Sequence, residues 1–214
     1  DTNYKMATVY LATAGAISGT ADIYDQMGAT AAIALAGAYG LGAGGSTVTA
    51  TINVREGVYK AGNNVIIPAG VTMSGLYGSS TVWVLTATNQ TMFTVYGKFR
   101  NFYLDCSSKA YAADLLVVKQ GGEIENITMT NCINHGAAAN GTLLYVTSDY
   151  TTGADHVVPS TSVAKIKNYR ANDYKAIADF TTSGDGAAFK IKFAQRAEIN
   201  DSYFGHPYGA SGAS

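Results

Sequence analysis

The sequence predicts an all-β protein wound as a stack of short parallel strands, a parallel β-helix, with one α-helix covering its N-terminal end. Three observations predict this. Between Ile52 and Thr81, apolar residues alternate with polar ones in pieces of three to five residues, carried by Ile52, Val54, Val58, Val65, Ile67, Val71 and Met73. Turn formers separate the pieces at Gly57, Gly62-Asn63-Asn64, Pro68-Ala69-Gly70 and Gly75. Strands this short, with turns this close, are an all-β pattern; each is short for a sandwich and the right size for one side of a coil. The third observation is a repeat. Phe99-Arg100-Asn101, Ile124-Glu125-Asn126, Ile166-Lys167-Asn168 and Ile199-Asn200-Asp201 share the form apolar-x-Asn/Asp, at offsets of 25, 42 and 33 residues. Apolar residues follow at the next and third-next places, Phe102 with Leu104 and Ile127 with Met129; Tyr169 with Ala171 and Ser202 with Phe204 follow more loosely. Another strand precedes each repeat: Met92 to Val95, Leu115 to Val118, Leu143 to Val146, and Phe189 to Phe193.

In chain order, Thr8 to Leu11 reads as a first strand, ended by Gly15 and Gly19. Thr20 or Asp22 then caps a helix with Ile23, Met27, Ala31, Ala34 and Ala38 at three- and four-residue steps, stopped by Gly40 or Gly42. A lid of this kind protects strand edges and apolar stack that an open end would expose. Gly40 to Gly45 satisfies G-x-G-x-x-G, but with a helix before it and a strand after, the reverse of a dinucleotide site, so it reads as a connection. The expected organisation is one domain over 1–214, with strand and capping helix in 1–45, coils in 46–204 and a tail in 205–214 without core pattern, expected to fray in a monomer. The insertion from Thr147 to Thr161, with Asp149, Asp155, His156 and Pro159, is expected to protrude as a loop.

The run I-x-V-x-x-G-x-Y (Ile52, Val54, Gly57, Tyr59) followed by Val65 to Gly75, V-I-I-P-A-G-V-T-M-S-G, resembles the opening coils of the pectin lyase-like superfamily. The resemblance covers roughly Val9 to Phe204 and implies a right-handed parallel β-helix. In that superfamily a helix rich in A-A-I-x-x-A precedes the first coil, and Thr30 to Ala36 matches the pattern. Its members include pectate lyases, pectin methylesterases, polygalacturonases and phage tailspikes.

In such a stack Asn101, Asn126, Asn168 and Asp201 fall at matching places and form a structural ladder. Each amide bonds the next, and the tolerance of Asn for left-handed geometry makes the bend. Cys106 and Cys132 follow Asn101 and Asn126 by five and six residues, so they lie on adjacent coils. Adjacent strands are about 4.8 Å apart, within the Cα range of a disulfide. The pair is a bridge in an exported protein or two small apolar residues stacked in the core.

No catalytic residue and no metal site is assigned. Asp201-Ser202-Tyr203-Phe204-Gly205 is similar to the D-F-I-F-G motif of pectin methylesterases, but the nine residues after Gly205 contain no Arg to complete that site. The polygalacturonase pattern needs an Asp-Asp pair, which does not occur, and Asp105, Asp114, Glu123 and Glu125 form no calcium-binding set of the pectate lyase kind. Lys190 and Lys192 alternate with Phe189, Ile191 and Phe193 and, with Arg196 beyond, read as the solvated face of one strand. His135, His156 and His206 have no metal-ligand spacing. N-x-S/T sequons occur at Asn89, Asn126, Asn140 and Asn200; Asn140 and Asn89 are the candidates for glycosylation.

Charged residues make up 14% of the chain, with a net charge of −1, which gives no electrostatic ground for nucleic acid or an anionic membrane. Met27 to Ala50 is uncharged but mostly Ala, Gly and Thr, so no membrane span is expected. The first residue is Asp1, as expected after removal of a leader or of a tag. With its 15 tyrosines and 24 glycines, the chain is expected to be an exported structural protein, outside the cell or at its surface. Its expected role is the self-assembling subunit of an extracellular filament or surface layer, with other copies of itself as partner and no cofactor. The alternative is a polysaccharide-binding or polysaccharide-degrading β-helix, with carbohydrate as partner. A third reading, a membrane-anchored pilin using the Ala-rich segment, is disfavoured by its glycines.

Overall fold

In the computed structural model the described residues are 6–11, 49–54, 56–61, 64–67, 69–76, 80–86, 90–107, 113–132, 142–147, 163–172, 174–175, 189–192, 196–204 and 207–208. They form the strands β1 (Met6–Leu11), β2 (Thr49–Val54), β3 (Gly57–Ala61), β4 (Val65–Ile67), β5 (Val71–Ser74), β6 (Thr81–Leu85), β7 (Phe93–Val95) and β8 (Lys98–Asp105). After them come β9 (Leu116–Lys119), β10 (Glu123–Thr130), β11 (Leu144–Thr147), β12 (Ala164–Ala171), β13 (Tyr174–Lys175), β14 (Phe189–Lys192), β15 (Ala197–Asn200), β16 (Tyr203–Phe204) and β17 (Pro207–Tyr208). Among the described residues there is no helix. The expected capping helix, from Thr20 to Gly42, lies outside them, as does the loop from 148 to 161.

The strands make a ten-stranded sheet along β1-β2-β5-β8-β10-β12-β15, a five-stranded sheet β4-β7-β9-β11-β14 and a small β13-β17 pair. Every pairing is parallel, and from β7 to β12 the chain visits the two large sheets alternately. Parallel sheets need both a crossover and burial of one apolar face against a partner. Here each sheet serves as the other's cover.

Strand β8 shows how the sequence makes the bend. Its first part, at Lys98 to Arg100, pairs with β5, and its second part, at Tyr103 to Asp105, pairs with β6. Between them Asn101 has a φ of 64°, and the matching residues Asn126, Asn168 and Asp201 have 54°, 50° and 52°. One left-handed residue interrupts the strict inside-outside alternation. Phe99 points inward before it, and Phe102 and Leu104 point inward after it, so all three are buried. The apolar residues one and three places after each amide are therefore the imprint of a corner.

The register aligns inner rows across the stack. Ile52, Met73, Phe99, Ile124 and Ile166 form one buried row, and Ile67, Val95, Val118 and Val146 form its counterpart on the second sheet. An aromatic cluster fills the interior near the first bend. Tyr59 and Trp83 stack at 5.0 Å, Trp83 meets Phe93 edge-on at 5.3 Å, and Phe99 lies 4.4 Å from both Phe93 and Phe102. Such pairs contribute about 0.5–1.5 kcal/mol each beyond the area they bury.

Two boundaries differ from expectation. The first strand begins at Met6 rather than Thr8, because Met6 and Ala7 also find parallel partners in Thr49 and Ala50. Pro207 and Tyr208, expected to fray, pair instead with Tyr174 and Lys175, which satisfies backbone groups that would otherwise face water alone.

Candidate functional site

Four features of the described surface bear on function: the amide ladder, the cysteine pair, the outward rows of the larger sheet, and the edge strand β15. In the ladder, Asn168 Nδ2 donates to Asn126 Oδ1 at 2.8 Å, and Asn126 Nδ2 donates to Asn101 Oδ1 at 2.9 Å. Asn101 Nδ2 in turn points at Ser74 Oγ, 3.4 Å away. Asp201 continues the register with the same backbone geometry, but an ionised carboxylate has no N–H to donate toward Asn168. Asn168 Oδ1 accepts instead from Arg170 Nε at 3.3 Å. The ladder thus consists of three amides with a carboxylate beyond them. Asn126 is also a sequon, yet its amide is committed to two ladder bonds.

Sequence reasoning read Gly75 only as a turn former, not as part of this corner system, and missed Asn131 and Ser107. Gly75 stands two places after Met73 as Asn101 stands two after Phe99, and that spacing was the signal. It is glycine for space: a Cβ there would press on the Asn101 carbonyl and lie 2.8 Å from the Phe102 ring. Asn131 and Ser107 make a second left-handed corner, with φ of 56° and 51°. Asp105 Oδ1 holds both, accepting from Asn131 Nδ2 at 2.9 Å and from the Ser107 N–H at 2.7 Å.

Beside that second corner Cys106 and Cys132 are disulfide-bonded, with Cα atoms 5.1 Å apart. Both are fully buried, so the pair is at once a cross-link between β8 and β10 and part of the core.

The outward rows are charged and internally paired. Lys98, Glu123, Lys165 and Glu198 alternate in sign across four strands, with Lys98 Nζ 3.2 Å from Glu123. In the neighbouring row Arg100, Glu125 and Lys167 are aligned, and Lys167 Nζ lies 3.1 Å from Glu125. The hydrogen bond that Lys167 donates to Glu125, followed by the negative charge of that carboxylate, raises the Lys167 pKa above the ordinary 10.5. A further row, Tyr103, Thr128, Arg170 and Tyr203, completes this face.

The structure does not gather the carboxylates considered for catalysis into one cleft. Asp114 accepts from the Thr142 N–H and hydroxyl at 2.9 and 2.8 Å, Asp105 holds its corner, and Glu123 and Glu125 face lysines. Among the described residues no group of three or more His, Cys, Asp or Glu stands close enough to hold a metal ion. Of the basic group, Lys190 lies over the Tyr145 ring at 5.1 Å and Arg196 pairs with Glu198 at 2.9 Å. His135, His156, His206, Asn89 and Asn140 fall outside the described residues. So does Met27–Ala50 except for its last two residues; among the described residues no helix is long and apolar enough to cross a membrane.

Both inner rows surface at the same end of the stack. Ile199, in register with buried Ile166, is 40% exposed, and Ile191, in register with buried Val146, is 48% exposed.

Compared with known proteins, the chain matches no family model, no curated protein and no solved structure. Fold and surface together define a class: an all-β protein of parallel strands in two facing sheets, its corners set by stacked amides and its outer rows of alternating charge.

Proposed function

We propose that the chain is a right-handed parallel β-helix of the pectin lyase-like kind, with an N-terminal capping helix, and that it serves as the self-assembling subunit of an extracellular filament or surface layer. One observation carries the reading: inner-row residues of both sheets, Ile191 and Ile199, come to the surface at β14 and β15, the end strands of the two sheet orders. Apolar residues continuing a core row are costly to leave in water, at roughly 25 cal/mol per Å², and the end of a sheet order, as at β15, is a place where a further strand can add. A second copy supplies both partners. A buried disulfide and the low fraction of charge suit an exported protein.

The row Tyr103, Thr128, Arg170 and Tyr203 favours the second reading, a polysaccharide-binding β-helix, since aromatic faces and a guanidinium suit acidic sugars. Electron microscopy of concentrated protein, with and without an acidic polysaccharide, tests both. Filaments or sheets without sugar support the structural reading. Dispersed particles that nevertheless bind the sugar, and bind it less after Arg170→Ala, replace it with the second.

A further inference from the structure

Building on the homopolymer reading, we propose that copies join side to side through the charged outer face of the larger sheet. Two copies face each other across a two-fold axis that runs parallel to the strands, midway between β10 and β12. Each strand presents one sign on this face. Lys98 and Arg100 of β8 are positive, Glu123 and Glu125 of β10 negative, and Lys165 and Lys167 of β12 positive; β15 offers Glu198 with the neutral Asn200. All of these side chains are exposed or half-buried, with Phe99, Ile124 and Ile166 buried between the members of the first three pairs.

Stripes of alternating sign, even in number, complement themselves under this symmetry. The axis reverses the order of the rungs and keeps the position along them. It sets β8 on β15 of the second copy and β10 on β12, so that Lys98 faces Glu198, Glu123 faces Lys165 and Glu125 faces Lys167. Arg100 meets Asn200, whose side-chain carbonyl can accept from the guanidinium. A slip by one rung puts β10 on itself and β8 on β12, like on like. A two-fold axis along the stack puts every stripe on its own sign. Like charges face to face disfavour both arrangements, so the pattern selects one pairing. Within one chain Lys98 and Lys167 already hold Glu123 and Glu125. A facing copy gives each a second opposite charge, so closing the face leaves no charge buried alone, the situation that makes such contacts costly. Stripes one strand spacing apart, about 4.8 Å, cancel one another a short way above the surface; they select register at contact and do not steer copies from afar. The contact is isologous and makes a pair. That pair carries an exposed Ile191 and Ile199 at both of its ends, where the homopolymer reading places the contact that extends it.

Two charge-reversed variants test this face. Glu123→Lys with Glu125→Lys makes β10 positive, and Lys165→Glu with Lys167→Glu makes β12 negative. Alone, each sets like stripes together twice and associates about a hundredfold or more weakly than the unmodified protein, read by analytical ultracentrifugation at low salt. Mixed in equal amounts they recover, since β10 of one then faces β12 of the other with opposite sign. Circular dichroism shows whether each variant is folded; where one is not, a cross-link in the unmodified protein decides. Zero-length carbodiimide coupling of the assembled protein joins Lys98 to Glu198 between copies. Within one chain that pair is three strand spacings of about 4.8 Å apart, beyond the reach of such a link. Variants that associate as well as the unmodified protein, folded variants that do not recover on mixing, or assemblies without the link from Lys98 to Glu198 would overturn this face and leave the homopolymer reading standing. Unmodified protein that stays monomeric at every concentration would remove both. Binding of an acidic polysaccharide by those monomers, lost in the variant with Lys165→Glu and Lys167→Glu, would give the face to that ligand instead.

Discussion

Ile124 and Ile199 occupy the same register row, with Ile166 between them, yet one is fully buried in the middle of the stack and the other is 40% exposed at its edge strand. The residue type is the same and the local motif shares the form apolar-x-Asn/Asp; the difference in burial follows the presence of a further rung. A rung in a parallel stack is stabilised by its neighbours more than by its own sequence, so burial reports position along the axis. The largest expected effect follows from this. Ile124→Ala costs about 2–5 kcal/mol by leaving a cavity between two covered rungs. Ile199→Ala costs about 1 kcal/mol or less in the unassembled chain, because much of its side chain already meets water. Urea denaturation of the two variants at low concentration measures the gap. Equal losses would mean that β15 is as well covered as β10.

The ladder offers the same contrast in polar groups. Asn126, between two amides, both donates and accepts, whereas Asp201 has only acceptors to offer. Asn126→Ala loses two side-chain bonds, at about 0.5–1.5 kcal/mol net each, and puts a residue that tolerates left-handed geometry less well than Asn at a φ of 54°, at about 1–2 kcal/mol. The expected total is about 2–5 kcal/mol. Asn126→Gly keeps the backbone freedom and is expected to cost about half as much, separating corner from ladder. Asp201→Ala gives up the backbone share alone, about 1–2 kcal/mol. Thermal unfolding of the three variants orders them. If Asn126→Gly proves as costly as Asn126→Ala, the bonds rather than the bend hold the corner.

These corners explain why so much of the fold was legible in the sequence. A left-handed residue selects Asn, Asp or Gly, and the phase slip it causes leaves apolar residues one and three places later; both traces survive in the letters around Asn101 and Asn126. The short strands of the second sheet, β7, β9, β11 and β14, coincide with the apolar stretches beginning at Met92, Leu115, Leu143 and Phe189. What the letters concealed depends on contacts between rungs. Gly75 is fixed by the Asn101 carbonyl and the Phe102 ring, 26 and 27 residues away in sequence. The second corner at Ser107 and Asn131 is held by one Asp105 oxygen reaching from the rung below. The state of Cys106 and Cys132 rests on a spacing that spacing rules allowed but did not choose.

The outer face should respond least, and its response has a definite sign. Lys167 has a pKa raised by its hydrogen bond to Glu125 and by that carboxylate's charge, and both groups stand in water. A group whose pKa is higher folded than unfolded contributes its stabilisation below the unfolded value, and loses it as pH rises through the folded one. For Lys167 the window therefore opens above pH 10.5, far from neutrality. Screening over a Debye length of about 8 Å at physiological salt weakens the pair further. Glu125→Gln is expected to return the Lys167 titration, followed by NMR of its side chain, to the ordinary lysine value while leaving the melting temperature at pH 7 almost unmoved. A large fall in melting temperature would show that the alternating outer rows, and not only the inner ones, hold the rungs in register.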